Sequence, residues 1–104
     1  MKFQCEYVCS QLYGLTPVAA AHIVGIALRS DSEVRIEANG HCANAVSICG
    51  LLSLSIRNGD LVKVTVDGED GYDVMRNIEA VITHHTQRGT RHEGDQRVPQ
   101  LVPA

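Results

Sequence analysis

Two hydroxyl residues stand where helices are predicted to begin, Thr16 in YGLTPVAAAH and Ser47 in NAVSICGLLSLSI. A hydroxyl in that place accepts a hydrogen bond from the open amides of a first helical turn, and Pro17 sits where a proline costs the helix nothing. The same amides and the helix dipole attract anions such as phosphate. At Thr16, however, the prepared site has no reactive group: no His, Cys, Arg or Lys stands at the cap or in the first turn. A threonine hydroxyl without a base beside it is a poor nucleophile, so Thr16 reads as a cap. Histidine is the side chain suited to taking up and releasing a group near neutral pH. His22 lies inside the first helix, roughly 9 Å along its axis from Thr16, and His41 follows a turn at a strand edge. Neither has open amides beside it, and each reads as a surface histidine. The cysteines Cys5, Cys9, Cys42 and Cys49 form no C-x-x-C pair and read as small buried hydrophobes. A zinc site using His41 and Cys42, or a metal pair at His84 and His85, is the weaker alternative; no metal and no cofactor are expected.

The elements that position these residues follow from periodicity. Residues 2 to 9 alternate, with Phe3, Cys5, Tyr7 and Cys9 on one face, and predict a strand. Ala20, Ile23, Val24 and Ala27 recur at helical spacing in a helix from Pro17 to about Leu28. Val34, Ile36 and Ala38 alternate and run into Asn39-Gly40, a strong hairpin signal. Ser47 then opens an apolar segment long enough for two helical turns. Val62, Val64 and Val66 mark the clearest strand. Asp70 is the predicted N-cap of a last helix, with Asp73 three residues on and an apolar stripe of Val74, Ile78, Val81 and Ile82. The order β-α-β-β-α-β-α predicts an α+β open-faced sandwich, with a four-stranded antiparallel sheet and three helices on one face. Residues 1–84 form the expected domain. From about His84 the period is lost and prolines appear, so residues 85–104 are expected to be a disordered C-terminal tail.

Composition removes several functions. The chain has 104 residues and a formal charge of −3, which gives no electrostatic basis for binding nucleic acid, and one Phe, three Tyr and no Trp give little for stacking on single strands. No apolar run reaches the length of a membrane span, and the N-terminus lacks a signal-peptide core, so a cytoplasmic protein is expected.

These words in this order resemble the HPr family, the histidine-containing phosphocarriers of the bacterial sugar phosphotransferase system. The resemblance rests on FQCEYV, on Gly14-Leu15 before a proline-led helix, on NGHCANAVSICGLLSL, and on GED before the last helix. It covers residues 2 to about 83. In the family, G-L-H-x-R-P places a phospho-accepting histidine at the helix cap and an arginine two residues later. Here Thr16 and Val18 occupy those places, and the proline has moved one residue toward the N-terminus. The resemblance therefore implies no catalytic residue, and a protein without histidine phosphotransfer, which is no enzyme.

It also implies that Ser47 aligns with a serine that an ATP-dependent kinase/phosphorylase modifies for regulation, with Ile48, Leu51 and Leu52 as an apolar partner-binding cluster. Val46, where the family often has a basic residue, departs from that pattern. The chain is most similar to paralogues that keep the serine but lack the histidine, such as the catabolite-repression HPr-like proteins of Gram-positive bacteria. The implied partners are proteins: the HPr kinase/phosphorylase and a transcription regulator or metabolic enzyme. The alternatives are a phosphocarrier with a relocated acceptor and a protein-binding scaffold that is never phosphorylated.

Overall fold

The computed structural model describes residues 1–83 and 100–102. The chain runs β1 (Lys2–Val8), α1 (Pro17–Arg29), β2 (Glu33–Ala38), β3 (His41–Asn44), α2 (Ile48–Leu52), β4 (Leu61–Asp67), α3 (Gly71–Thr83) and β5 (Gln100–Val102). One antiparallel sheet results, in the order β3-β2-β4-β1-β5. The three helices and the first four strands match the sequence-based expectation.

Two-residue alternation gives the sheet one apolar face. The register aligns Ala43, Ile36, Val64 and Cys5 in one row across four strands, with Val34, Val66 and Phe3 in the next. These side chains form a continuous core with Ala20 and Ile23 of α1, Leu51 of α2, and Val74, Met75, Ile78 and Ile82 of α3. The opposite face carries Lys2, Gln4, Glu33, Arg35, Glu37, Lys63, Thr65 and Asp67 and stays open to solvent. Between β2 and β3, Asn39 and Gly40 both adopt positive φ, 53° and 80°, as a tight hairpin with right-handed twist requires.

Three expectations change. The sheet has five strands, because Gln100–Val102, inside the stretch read as a tail, pairs with Lys2–Gln4. The rest of that stretch, 85–99 and 103–104, lies outside the described residues, as does the His84–His85 pair. Cys5 and Cys9 are buried, but Cys42 and Cys49 are exposed. Cys42 pairs with Glu37, and strand alternation leaves its neighbour Ala43 to face the core. Finally, the Asp70 carboxylate crosses to the turn before β2, accepting from the Ser32 hydroxyl and from the Asp31 N–H at 3.0 Å, so it ties two loops together.

The Ser32 hydroxyl, and after it the Asp31 N–H, hold the Asp70 carboxyl below the ordinary carboxylate range. A depressed folded pKa contributes stability that is complete above the unfolded value of about 4 and is lost as pH falls through the folded value. Asp70→Asn is thus expected to lower Tm at pH 7 and to flatten the fall of Tm below about pH 4. Thermal denaturation across that range checks it; a variant curve that parallels the wild type would remove this link.

Candidate functional site

The loop from Cys9 to Thr16 is held from three sides. The Gln11 side-chain amide donates to the Val81 carbonyl of α3, and Asn58 Nδ2 donates to the Gln11 carbonyl at 2.9 Å. Leu15 N–H donates to the Ile56 carbonyl at 3.1 Å. Gly14 makes that last contact possible: its φ is +75°, and a Cβ there would lie 2.4 Å from the Ile56 oxygen. The chain then enters α1 with Thr16 extended (φ −77°, ψ 167°), and its Oγ1 accepts from Ala19 N–H at 3.2 Å. Thr16 is thus a working N-cap, with Pro17 in the first turn.

Around this cap the surface is apolar. Val18 is 71% exposed, Leu12 72% and Tyr13 82%. Leu12 and Tyr13 escaped sequence reasoning because they belong to no periodic element; the available signal was two large side chains placed beside a glycine in a loop.

The second cap is built in the same way. The Asn44 side chain accepts from Val46 N–H at 3.1 Å and its carbonyl from Ser47 N–H at 3.0 Å, turning the chain out of β3. Ser47 Oγ then accepts from Gly50 N–H at 3.1 Å. A Cβ on Gly50 would come within 3.1 Å of that Oγ and 3.4 Å of Ala43 Cβ, so the glycine lets α2 lie close to β3. Ser47 is exposed, and so are Val46, Ile48 and Leu52. Leu51 is fully buried and belongs to the core. A five-residue helix has one inward position to fill, and Leu51 fills it, so the surface cluster is Val46, Ile48 and Leu52.

The two caps are mechanically linked. α1 packs on α2, and the segment leaving α2 carries the Ile56 carbonyl that holds Leu15. The two described histidines lie elsewhere. His22 lines a groove between α1 and α3 with Gly25, Arg29 and Asn77. His41 lines a shallow depression with Asn39, Ser55, Arg57 and Asp60. There the Asp60 carboxylate is already engaged by Arg57 N–H at 2.9 Å and by the Asn39 side chain at 3.3 Å. Burial pushes the Cys9 thiol up, away from a reactive thiolate. Among the described residues no group of three or more His, Cys, Asp or Glu side chains is arranged to hold a metal. No described helix is long and apolar enough to cross a membrane.

Set against known proteins, residues 3–84 match the family model for the phosphotransferase-system HPr component phosphorylation site. The chain belongs to the HPr family. It is 39% identical over 69 residues to the HPr-like protein Crh of Halalkalibacterium halodurans, covering 66% of this chain and 82% of that one. The crystal structure of the phosphocarrier HPr from Bacillus anthracis superposes with a TM-score of 0.73 at 31% identity, over 78% of this chain and 96% of that one. Crh of Bacillus subtilis, whose crystal structure is described as an intertwined dimer with a swapping domain, superposes with a TM-score of 0.65 at 32% identity, over 75% and 90% of the two chains.

The caps make different demands on substitution. Thr16→Ala leaves Ala19 N–H without its acceptor and is expected to cost about 0.5–2 kcal/mol, whereas Thr16→Ser should cost little. Gly14→Ala combines a strained φ with a backbone clash and should destabilise more than Thr16→Ala. Urea unfolding of the three variants checks this order; equal midpoints for Gly14→Ala and wild type would contradict the contact at Ile56.

Proposed function

We propose that this HPr-family protein acts by being bound, as a regulatory protein controlled at Ser47, and that it does not carry phosphate on histidine. The observation that carries the reading is the contrast between the two caps. Thr16 Oγ1 is held on Ala19 N–H, with Val18 rather than a cation two residues on and exposed apolar side chains around it. A phosphate ester there would lack the arginine that the family places two residues on, and a threonine ester is too stable to pass its phosphoryl group onward readily.

Ser47 has the features of a switch. It is exposed, it sits on a turn fixed by Asn44, and it borders the apolar side chains Val46, Ile48 and Leu52. Phosphorylation would add nearly two negative charges beside an apolar surface. With an exposed helix N-terminus such a charge is worth only about 0.3–1 kcal/mol, and α2 is too short to add much dipole, so the fold should be almost indifferent. At a protein interface the change is larger, because each charge-assisted hydrogen bond to a partner's Arg or Lys is worth about 1.5–3 kcal/mol. Phosphorylation thus selects among partners. The modifying partner in this reading is an HPr kinase/phosphorylase, and the responding partner a transcription regulator or metabolic enzyme.

ATP with an active HPr kinase/phosphorylase is expected to add one phosphate to the wild type and none to Ser47→Ala, read by mass spectrometry with mapping to Ser47. If a control HPr is modified while Ser47 stays bare, the regulatory reading fails and a scaffold that is never phosphorylated takes its place.

A further inference from the structure

The groove between α1 and α3 encloses about 470 Å³, a volume within the range of small-ligand sites. Ala21, Ile26 and Val81 give it an apolar lining, with Ile26 and Val81 half-buried. Its polar lining is His22 and Arg29 from α1 and Asn77 from α3, all three exposed. Among the described residues no Asp or Glu lines it. Arg35 and Arg76 each pair with a glutamate, whereas Arg29 has no described carboxylate within 4.0 Å.

Arg29 is turned into this groove. A basic residue in the last turn of a helix ordinarily attends the open carbonyls there. In α1 the Ala27 carbonyl is already taken, by the N–H of Ser30 at 3.2 Å and by its hydroxyl at 2.8 Å. The Arg29 guanidinium folds back one turn, with Nη1 3.2 Å from the position a Cβ would take on Gly25. Gly25 is outside the left-handed region, and the three nearest neighbours of such a Cβ would all be atoms of that guanidinium. Neither the backbone nor the packing therefore asks for glycine, which is costly in mid-helix. What it provides is room for the guanidinium against the helix.

We propose that this groove binds a phosphate monoester carried on a compact apolar body. Two helices supply three donor groups: the Arg29 guanidinium, an imidazole N–H of His22 and the carboxamide N–H of Asn77. His22 precedes Gly25 by about 4.5 Å along the helix axis, so one bound anion spans the imidazole and the guanidinium lying over Gly25. A phosphate monoester presents three terminal oxygens, one for each donor group. A carboxylate presents two, which a guanidinium satisfies alone. The apolar body then lies on Ile26 and Val81. The site is independent of Ser47, because α2 contributes no residue to it.

The test is an amide NMR titration of the full-length protein with phenyl phosphate at fixed pH and ionic strength. Amides of residues 21–29 and 77–81 should shift together and saturate in the millimolar range. Benzoate, with two oxygens, and inorganic phosphate, with no apolar body, should each bind several-fold more weakly, and phenol should not saturate. Arg29→Gln should weaken phenyl phosphate about tenfold, the loss expected for a charge-assisted bond. Gly25→Leu fills the groove and should abolish binding, and both variants should keep Tm within a few degrees of wild type. The proposal is overturned if phenyl phosphate gives no saturating shift, which would leave the groove to a protein partner or to solvent. It is overturned equally by shifts centred on the first-turn amides of α1 or α2, by any comparison compound binding as tightly as phenyl phosphate, or by Arg29→Gln binding like wild type.

Discussion

The first-turn amides of a helix need acceptors, and in this protein that requirement fixes the two hydroxyls on which the functional reading turns. Thr16 answers it for α1 through Ala19, and Ser47 answers it for α2 through Gly50. A glycine lies beside each cap and permits a close approach: Gly14 to the Ile56 backbone, Gly50 to the Ser47 and Ala43 side chains. Because the segment leaving α2 carries the Ile56 carbonyl that anchors Leu15, the two caps are parts of one connected framework. Both are bordered by exposed apolar side chains, and what distinguishes them is the hydroxyl itself: Thr16 is half-buried and Ser47 exposed.

A helix cap is a structural device before it is a chemical one. The cap geometry serves the helix whether or not chemistry occurs there, so it persists on stability alone. Leu12, Tyr13 and Val18 add exposed apolar side chains beside it. At the sheet edge, Gln100–Val102 adds a three-residue outer strand along Lys2–Gln4, with Leu101 largely exposed.

Much of this was legible in the sequence because period and cap chemistry are local. The stripe Val74, Ile78 and Ile82, the alternation of Val62, Val64 and Val66, and the Thr16-Pro17 start all appear as read. What escaped was decided by contacts distant in the chain. Leu51 looked like part of a surface cluster until the one-turn helix used it to reach the core. Asp70 looked like a cap but reaches Ser32, a neighbour only after the strands have paired. Gln100–Val102 has too few residues to show a period, and only its pairing with β1 makes it a strand. Cys42 faces outward by strand register, which no single strand announces, and Cys49 lies on the exposed side of α2.

The central claim is that the α1 cap has kept its structural role and has no phosphoryl transfer to perform. The most direct measurement is labelling with phosphoenolpyruvate and the general first enzyme of the phosphotransferase system, with a competent HPr as control and acid treatment to distinguish phosphohistidine from a stable ester. No acid-labile phosphate should appear on this protein while the control is labelled to completion. Stoichiometric acid-labile labelling would contradict the claim, and its loss in His22→Ala or His41→Ala would identify the histidine that had taken over.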